Sequence, residues 1–192
     1  RFSWKKHTFH FKMPSGTSRG ILTEKHAWMI EISSNDGQIT GSGECSIIPG
    51  LSPDFTSVQA YSIQLAEFCT LLNLHFKDDP TFTIDIDVLL ELIPIKNQPS
   101  VLFGFESAVL DFNNGGKSIY YENDFSQGKS KISINGLVWM GSEEFMQEQI
   151  EEKIAQGFRT IKMKIGAVDL LSELKLLAQI VVEKLSFVIL RL

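Results

Sequence analysis

The chain has 192 residues, 43% of them hydrophobic, with 18 basic against 23 acidic side chains and a net charge of −5. That weak acidic excess argues against nucleic acid, whose binders carry a basic patch or stripe, and no apolar run of about 18 residues is present to cross a membrane. The length suits one complete domain and part of a second.

The first third reads as an antiparallel sheet. Residues 2–12 alternate, with Phe9 and Phe11 bracketing His10 as in a half-buried strand. Pro14-Ser15-Gly16-Thr17-Ser18-Arg19-Gly20 breaks that pattern with turn formers. A second strand is expected over about Ala27 to Ile32, and Asn35-Asp36-Gly37 signals a hairpin before a third over Ile39 to Gly43. Residues 44–54 read as a loop punctuated by Pro49 and Pro53. The middle third turns helical. Tyr61, Leu65, Phe68 and Leu72 fall at helical spacing within Val58 to Leu74, and a shorter segment follows around Val88 to Leu92. Pro99 suits the first turn of a third helix, expected to run to about Phe112. Asn113-Asn114-Gly115-Gly116 ends it in residues that tolerate left-handed backbone.

After a boundary near 118–131 the rhythm becomes strand, helix, strand, helix, strand. The expected elements are a strand over Ile132 to Trp139, a helix capped by Ser142 and running to about Ala155, and a strand over Phe158 to Ile165. A helix over Asp169 to Lys184 and a strand over Phe187 to Leu192 complete them. Alternation of this kind means parallel strands joined by crossover helices. The first two-thirds is therefore α+β, and the last third is the start of an α/β unit with too few strands to close a barrel.

Cys45 and Cys69 form no motif with one another and read as reduced, packed thiols. His7, His10, His26 and His75 show no metal-ligand spacing on a helix; His7 and His10 read as strand-surface residues. Arg1-Phe2-Ser3-Trp4-Lys5-Lys6 lacks a signal peptide's apolar stretch, which gives a cytoplasmic expectation.

The chemistry shows at Gly157-Phe158-Arg159-Thr160-Ile161-Lys162-Met163-Lys164-Ile165-Gly166. Side chains alternate along a strand, so Ile161, Met163 and Ile165 should face the crossover helices and Lys162 and Lys164 the other side. Both faces of a parallel sheet are normally covered, which makes two lysines costly there unless they line a polar cavity at the strand ends. Two ammonium groups so placed repel, and a lysine driven neutral can take a proton from carbon. The alternative is an edge strand with one solvated face, where lysines are common.

This segment resembles the second barrel strand of the muconate-lactonising subgroup of the enolase superfamily. Four other segments fall in that family's order. Pro14 to Gly20 resembles the specificity loop of the capping domain in the o-succinylbenzoate synthases. Gly41-Ser42-Gly43-Glu44-Cys45 with Pro49-Gly50-Leu51-Ser52 resembles its second active-site loop. Phe103-Gly104-Phe105-Glu106-Ser107-Ala108-Val109-Leu110-Asp111 resembles the helix before the linker, and Ile134-Asn135-Gly136-Leu137 the first barrel strand.

The resemblance implies an α+β capping domain over 1–120, a linker over 121–131, and strands 1–3 of an incomplete (β/α) barrel over 132–192. It implies a dehydration that yields o-succinylbenzoate for menaquinone synthesis, with proton removal alpha to a carboxylate and Mg²⁺ stabilising the enediolate. Carried over by position, Lys164 matches the base and Lys162 the supporting lysine that stabilises developing negative charge. Thr17, Ser18 and Arg19 would lie in the closing loop, Gly50 and Leu51 would line the pocket, and Asn135 would reach substrate from the first strand. The family's three metal carboxylates come from the ends of the third, fourth and fifth strands, and no metal ligand is expected here; Asp169 and Glu173 belong to a helix on the outside. Without them the chain by itself is expected to lack synthase activity. The implied partner is a small-molecule carboxylate, with no nucleic acid and no membrane, and homo-oligomerisation stays open. The sister reactions of the scaffold, N-acylamino-acid racemisation, dipeptide epimerisation and muconate cycloisomerisation, are the alternatives within enzymes. A non-catalytic fragment is the alternative outside them.

Overall fold

Along the second strand, Trp28, Ile30 and Ile32 are all fully buried, and each stands across from a residue with little or no side chain. Trp28 pairs with Cys45, Ile30 with Gly43 and Ile32 with Gly41. Large residues on one strand and small ones on the next leave a trough, and a helix lies in it. The computed structural model that shows this describes residues 1–17, 20–77, 84–165, 170–182 and 186–191. The chain divides into two units, Arg1–Phe11 with Glu24–Lys129, and Lys12–Thr23 with Ser130–Leu192.

The strands β1 (Phe2–Thr17), β2 (Gly20–Ser33) and β3 (Thr40–Ser46) form one sheet in that order. The first unit adds the helices α1 (Val58–His75), α2 (Ile86–Leu92) and α3 (Pro99–Asn113). Its core joins Trp28, Ile30 and Ile32 to Tyr61, Leu65 and Leu72 of α1, Leu89 of α2, and Val101, Phe105 and Ala108 of α3. Burying each large apolar side chain contributes about 1.5–3 kcal/mol. α3 fills the trough: a Cβ on Gly43 would collide with the Gly104 carbonyl, and one on Gly41 with the Phe112 backbone. Ser57 caps α1 by accepting from the Ala60 amide, and Asp85 caps α2 through Asp87.

The second unit places β4 (Gly136–Val138), α4 (Glu143–Ala155), β5 (Thr160–Ile165), α5 (Leu170–Val182) and β6 (Ser186–Arg191) in the expected alternation. The sheet order is β4-β5-β6, parallel throughout. Ser142 accepts from the Phe145 amide as the N-cap of α4. Val138, Ile161 and Met163 pack on Met146 and Ile150 of α4 and Leu176 of α5.

Several boundaries differ from the sequence reading, and β2 begins at Gly20, seven residues before the expected Ala27. β1 does not stop at residue 12 but runs through Pro14 to Thr17. It is an edge strand, where a missing amide donor is tolerated. The first barrel strand is not eight residues long: only Gly136–Val138 pair, because β5 offers them Ile161 to Met163. Ile132 and Ile134 alternate with polar neighbours yet are 62% and 71% exposed, so their periodicity has no core behind it. β3 starts at Thr40 and extends to Ser46, three residues beyond the expected end, with Ala27 as the last partner on β2. Asp169, Lys184 and Leu192 lie outside the described residues. Cys45 and Cys69 are free and buried, and His7 and His10 are exposed on β1, as expected.

Candidate active site

β5 carries the two lysines. Ile161 and Met163 are fully buried against the helices, so alternation turns Lys162 to the other face, where it is half-buried. Level with Lys162 stand Leu137 on β4 and Val188 on β6. Neither register partner of Lys162 is a carboxylate. Lys164 pairs in register with Leu190, one level beyond the last β4 partner, Met163 with Val138. It therefore stands towards the C-terminal end of the strand, where barrel chemistry is housed. Its side chain lies outside the described part of the structure.

Asn135 directly precedes β4 and is half-buried, at the opposite strand end from Lys164. Thr17 is the last residue of β1, and Ser18 and Arg19 lie outside the described residues. Thr17, Asn135, Lys162 and Lys164 all belong to the second unit, and Gly50 and Leu51 to the first. Glu173 sits in α5 and is buried. Among the described residues, no group of three His, Cys, Asp or Glu side chains could hold a metal ion. The described residues thus offer no donor set for Mg²⁺.

Gly50 and Leu51 lie in a tight turn. The amides of Leu51 and Ser52 both donate to the Ile48 carbonyl at 3.0 Å, and the Ser52 hydroxyl accepts from the Ile48 amide at 3.0 Å. Gly50 adopts φ +76°, which favours glycine at this position. Leu51 is 52% exposed. It lines a cleft of about 460 Å³ together with Ile48, Asp54, Ser100 and Phe103.

Sequence reasoning passed over Asp54. Its Oδ2 accepts from the Ser100 amide at 2.8 Å, the Ser100 hydroxyl at 2.6 Å and the Val101 amide at 3.4 Å. A signal was present: α3 opens with Pro99 after Gln98, which makes no side-chain cap bond. A helix start without its own cap needs an acceptor from elsewhere in the chain.

No family model matches this sequence. The o-succinylbenzoate synthase of Desulfotalea psychrophila is 37% identical over 195 residues, covering 93% of this chain and 52% of that protein. The crystal structure of MenC from Desulfotalea psychrophila superposes with a TM-score of 0.72 at 28% identity, covering 99% of this chain and 55% of that one. An o-succinylbenzoate synthase from Thermosynechococcus elongatus, solved with Mg in its active site, shares the fold at a TM-score of 0.63 and 20% identity. It covers 95% of this chain and 48% of its own. The chain thus spans about half the length of the relatives it matches. An antiparallel sheet with helices followed by a parallel β/α sheet is the capping domain and partial barrel of the enolase fold.

Proposed function

The chain resembles the N-terminal portion of enolase-superfamily proteins, o-succinylbenzoate synthase in particular, and from that likeness we propose that it supplies the capping domain and the base of such a lyase. One observation carries the reading: a strand that buries Ile161 and Met163 completely leaves Lys162 half-buried between them and carries Lys164 two residues further along the same strand. On this reading residues 1–120 form the capping domain, 121–131 the linker and 132–192 the first three barrel strands.

The Lys164 amine takes the proton alpha to the substrate carboxylate. The electron pair of that C–H bond moves onto the carboxylate as an enediolate, then returns to form the new C=C bond as the β-C–O bond breaks, and Lys164 gives back its proton so that hydroxide departs as water. Lys162 holds the carboxylate and stabilises the negative charge that builds on it in the transition state. Thr17, Ser18 and Arg19 close over the substrate and Gly50 and Leu51 wall it from the capping side, while Asn135, at the opposite strand end from Lys164, is left without a part in the contacts. When bound, Mg²⁺ supplies electrostatic stabilisation of the enediolate; the described residues of this chain do not present its donors. A cytoplasmic place in menaquinone synthesis goes with this function. Among the described residues no helix is long and apolar enough to cross a membrane.

The test joins this chain to the part of the Desulfotalea psychrophila synthase that it does not cover and assays dehydration with Mg²⁺. Turnover is expected with Lys164 present and a loss of at least about 1,000-fold in Lys164→Ala. A folded chimera whose turnover is unchanged by Lys164→Ala would sink the proposal. If the chimera instead racemises N-acylamino acids and forms no o-succinylbenzoate, the sister reaction takes its place.

A further inference from the structure

The turn that presents Gly50 and Leu51 is closed on itself by short bonds, but those bonds do not fix where it stands on the domain. On its N-terminal side Ile47 is fully buried. On its C-terminal side the chain is held at Asp54 and Phe55. The Phe55 ring packs on Trp28 and Tyr61, with centroids 6.1 and 5.9 Å apart. Asp54 reaches across 46 residues of sequence to the first turn of α3.

That reach ends in a relay. The single proton of the Ser100 hydroxyl goes to Asp54 Oδ2 at 2.6 Å, so the Tyr61 hydroxyl, 2.6 Å away, must be the donor to Ser100 Oγ. Burial, with the Cys45 thiol beside it, pushes the Tyr61 phenol up, which keeps that donor protonated. Tyr61 of α1, Ser100 of α3 and Asp54 of the loop are thus joined in one line. The negative charge also meets the positive end of the α3 dipole. Three donors converging on one carboxylate oxygen define its position more narrowly than any apolar contact of the exposed turn.

We propose that Asp54 is the positioning residue of this turn: seated on Ser100 and Val101, its carboxylate sets where Gly50 and Leu51 stand against the substrate. The inference rests on the function proposed above for the second half of its claim, the substrate, and on geometry alone for the first.

The experiment measures amide hydrogen exchange on the 192-residue chain and three variants. In Asp54→Ala the amides of Leu51, Ser52, Phe55, Ser100 and Val101 are expected to exchange about fivefold faster, the size of a lost helix cap. The β2–β3 ladder around Ile30 should stay within about twofold. Asp54→Asn keeps an oxygen for Ser100 and should recover part of the protection. Ser100→Ala, which keeps the helix and breaks the relay, gives an intermediate effect and decides the matter if Asp54→Ala does not fold. Equal acceleration across the whole unit, or none at Leu51 and Ser52, overturns the proposal. Tryptophan fluorescence titrated with o-succinylbenzoate separates the two readings. Weakening of at least about fivefold in Asp54→Ala supports both; a wild-type chain that ignores the probe while showing the exchange pattern overturns the substrate reading and leaves the positioning role standing.

Discussion

The carboxylate of Asp111 holds the backbone of Ser42: Oδ2 accepts from the Ser42 amide at 2.9 Å while Oδ1 accepts from the Ser118 amide at 2.6 Å. One side chain, 3% exposed, thereby ties α3 to β3 and to the segment that leaves α3. Removing it takes the acceptor from both amides, and the amide of half-buried Ser42, left without one, costs about 1–3 kcal/mol. Asp111→Ala should therefore lower stability by about 3 kcal/mol in urea denaturation. Asp111→Asn, which keeps one acceptor, should lose roughly half as much. A loss under about 0.5 kcal/mol for the alanine variant would show that the amides find other partners.

Gly43 is where the trough is tightest. A Cβ there would collide with the Gly104 carbonyl and lie 2.7 Å from the Ala108 amide nitrogen, both backbone atoms of α3. Backbone cannot rotate away as a side-chain tip can, so the whole helix must lift. Gly43→Ala should cost about 3 kcal/mol, at the upper end of overpacking penalties. Exposed Gly128, where an added Cβ meets nothing within 4 Å but φ is +71°, controls for backbone strain alone and should cost only about 1 kcal/mol. Equal midpoints for the two variants in denaturant would refute the close packing.

Lys162 gives a test of why the lysines are where they are. It is half-buried, with Leu137 and Val188 level with it on the flanking strands. An apolar residue fits such a position at least as well as an ammonium. Lys162→Leu should leave the stability of the chain unchanged or raise it by up to about 1 kcal/mol, the usual sign of a residue kept for function. Met163→Lys, on the buried face of the same strand, should cost about 3 kcal/mol or more. Thermal unfolding of the two variants decides it, and marked destabilisation by Lys162→Leu would speak for a structural lysine.

The paired faces of β5 were legible because strand alternation is local and strict: Ile161 and Met163 had to share a face, and the structure buries both. The start of α4 was legible too, since Ser142 acts as the cap expected of it. What local rules could not supply was pairing at a distance. Ile132 and Ile134 alternate like strand residues, but among the described residues no partner strand reaches them. Pro14 looked like a break, and the edge position of β1 made it harmless. Asp54 and Asp111 escaped for the same reason. Each is defined by bonds to residues 46 and 69 positions away, and no spacing pattern records such contacts.

The buried thiols make the domain's alkaline stability a readable quantity. Burial pushes Cys45 up to about 12 and Cys69 up to about 12, against an ordinary value of 9.0. The folded state therefore holds two protons that the unfolded chain releases above pH 9. By linkage the protonated thiols contribute in full below pH 9, and their contribution is lost progressively from pH 9 to about 12. At pH 10 each thiol should already have cost on the order of 1 kcal/mol relative to pH 8. Cys69→Ala removes one of the two. Between pH 8 and pH 10, wild type should lose on the order of 1 kcal/mol more than Cys69→Ala in urea denaturation. Equal losses would mean that Cys69 ionises in the folded chain and is not sealed in the core beneath α1. Alkylation at pH 8 gives the companion readout: neither thiol should react until the protein unfolds.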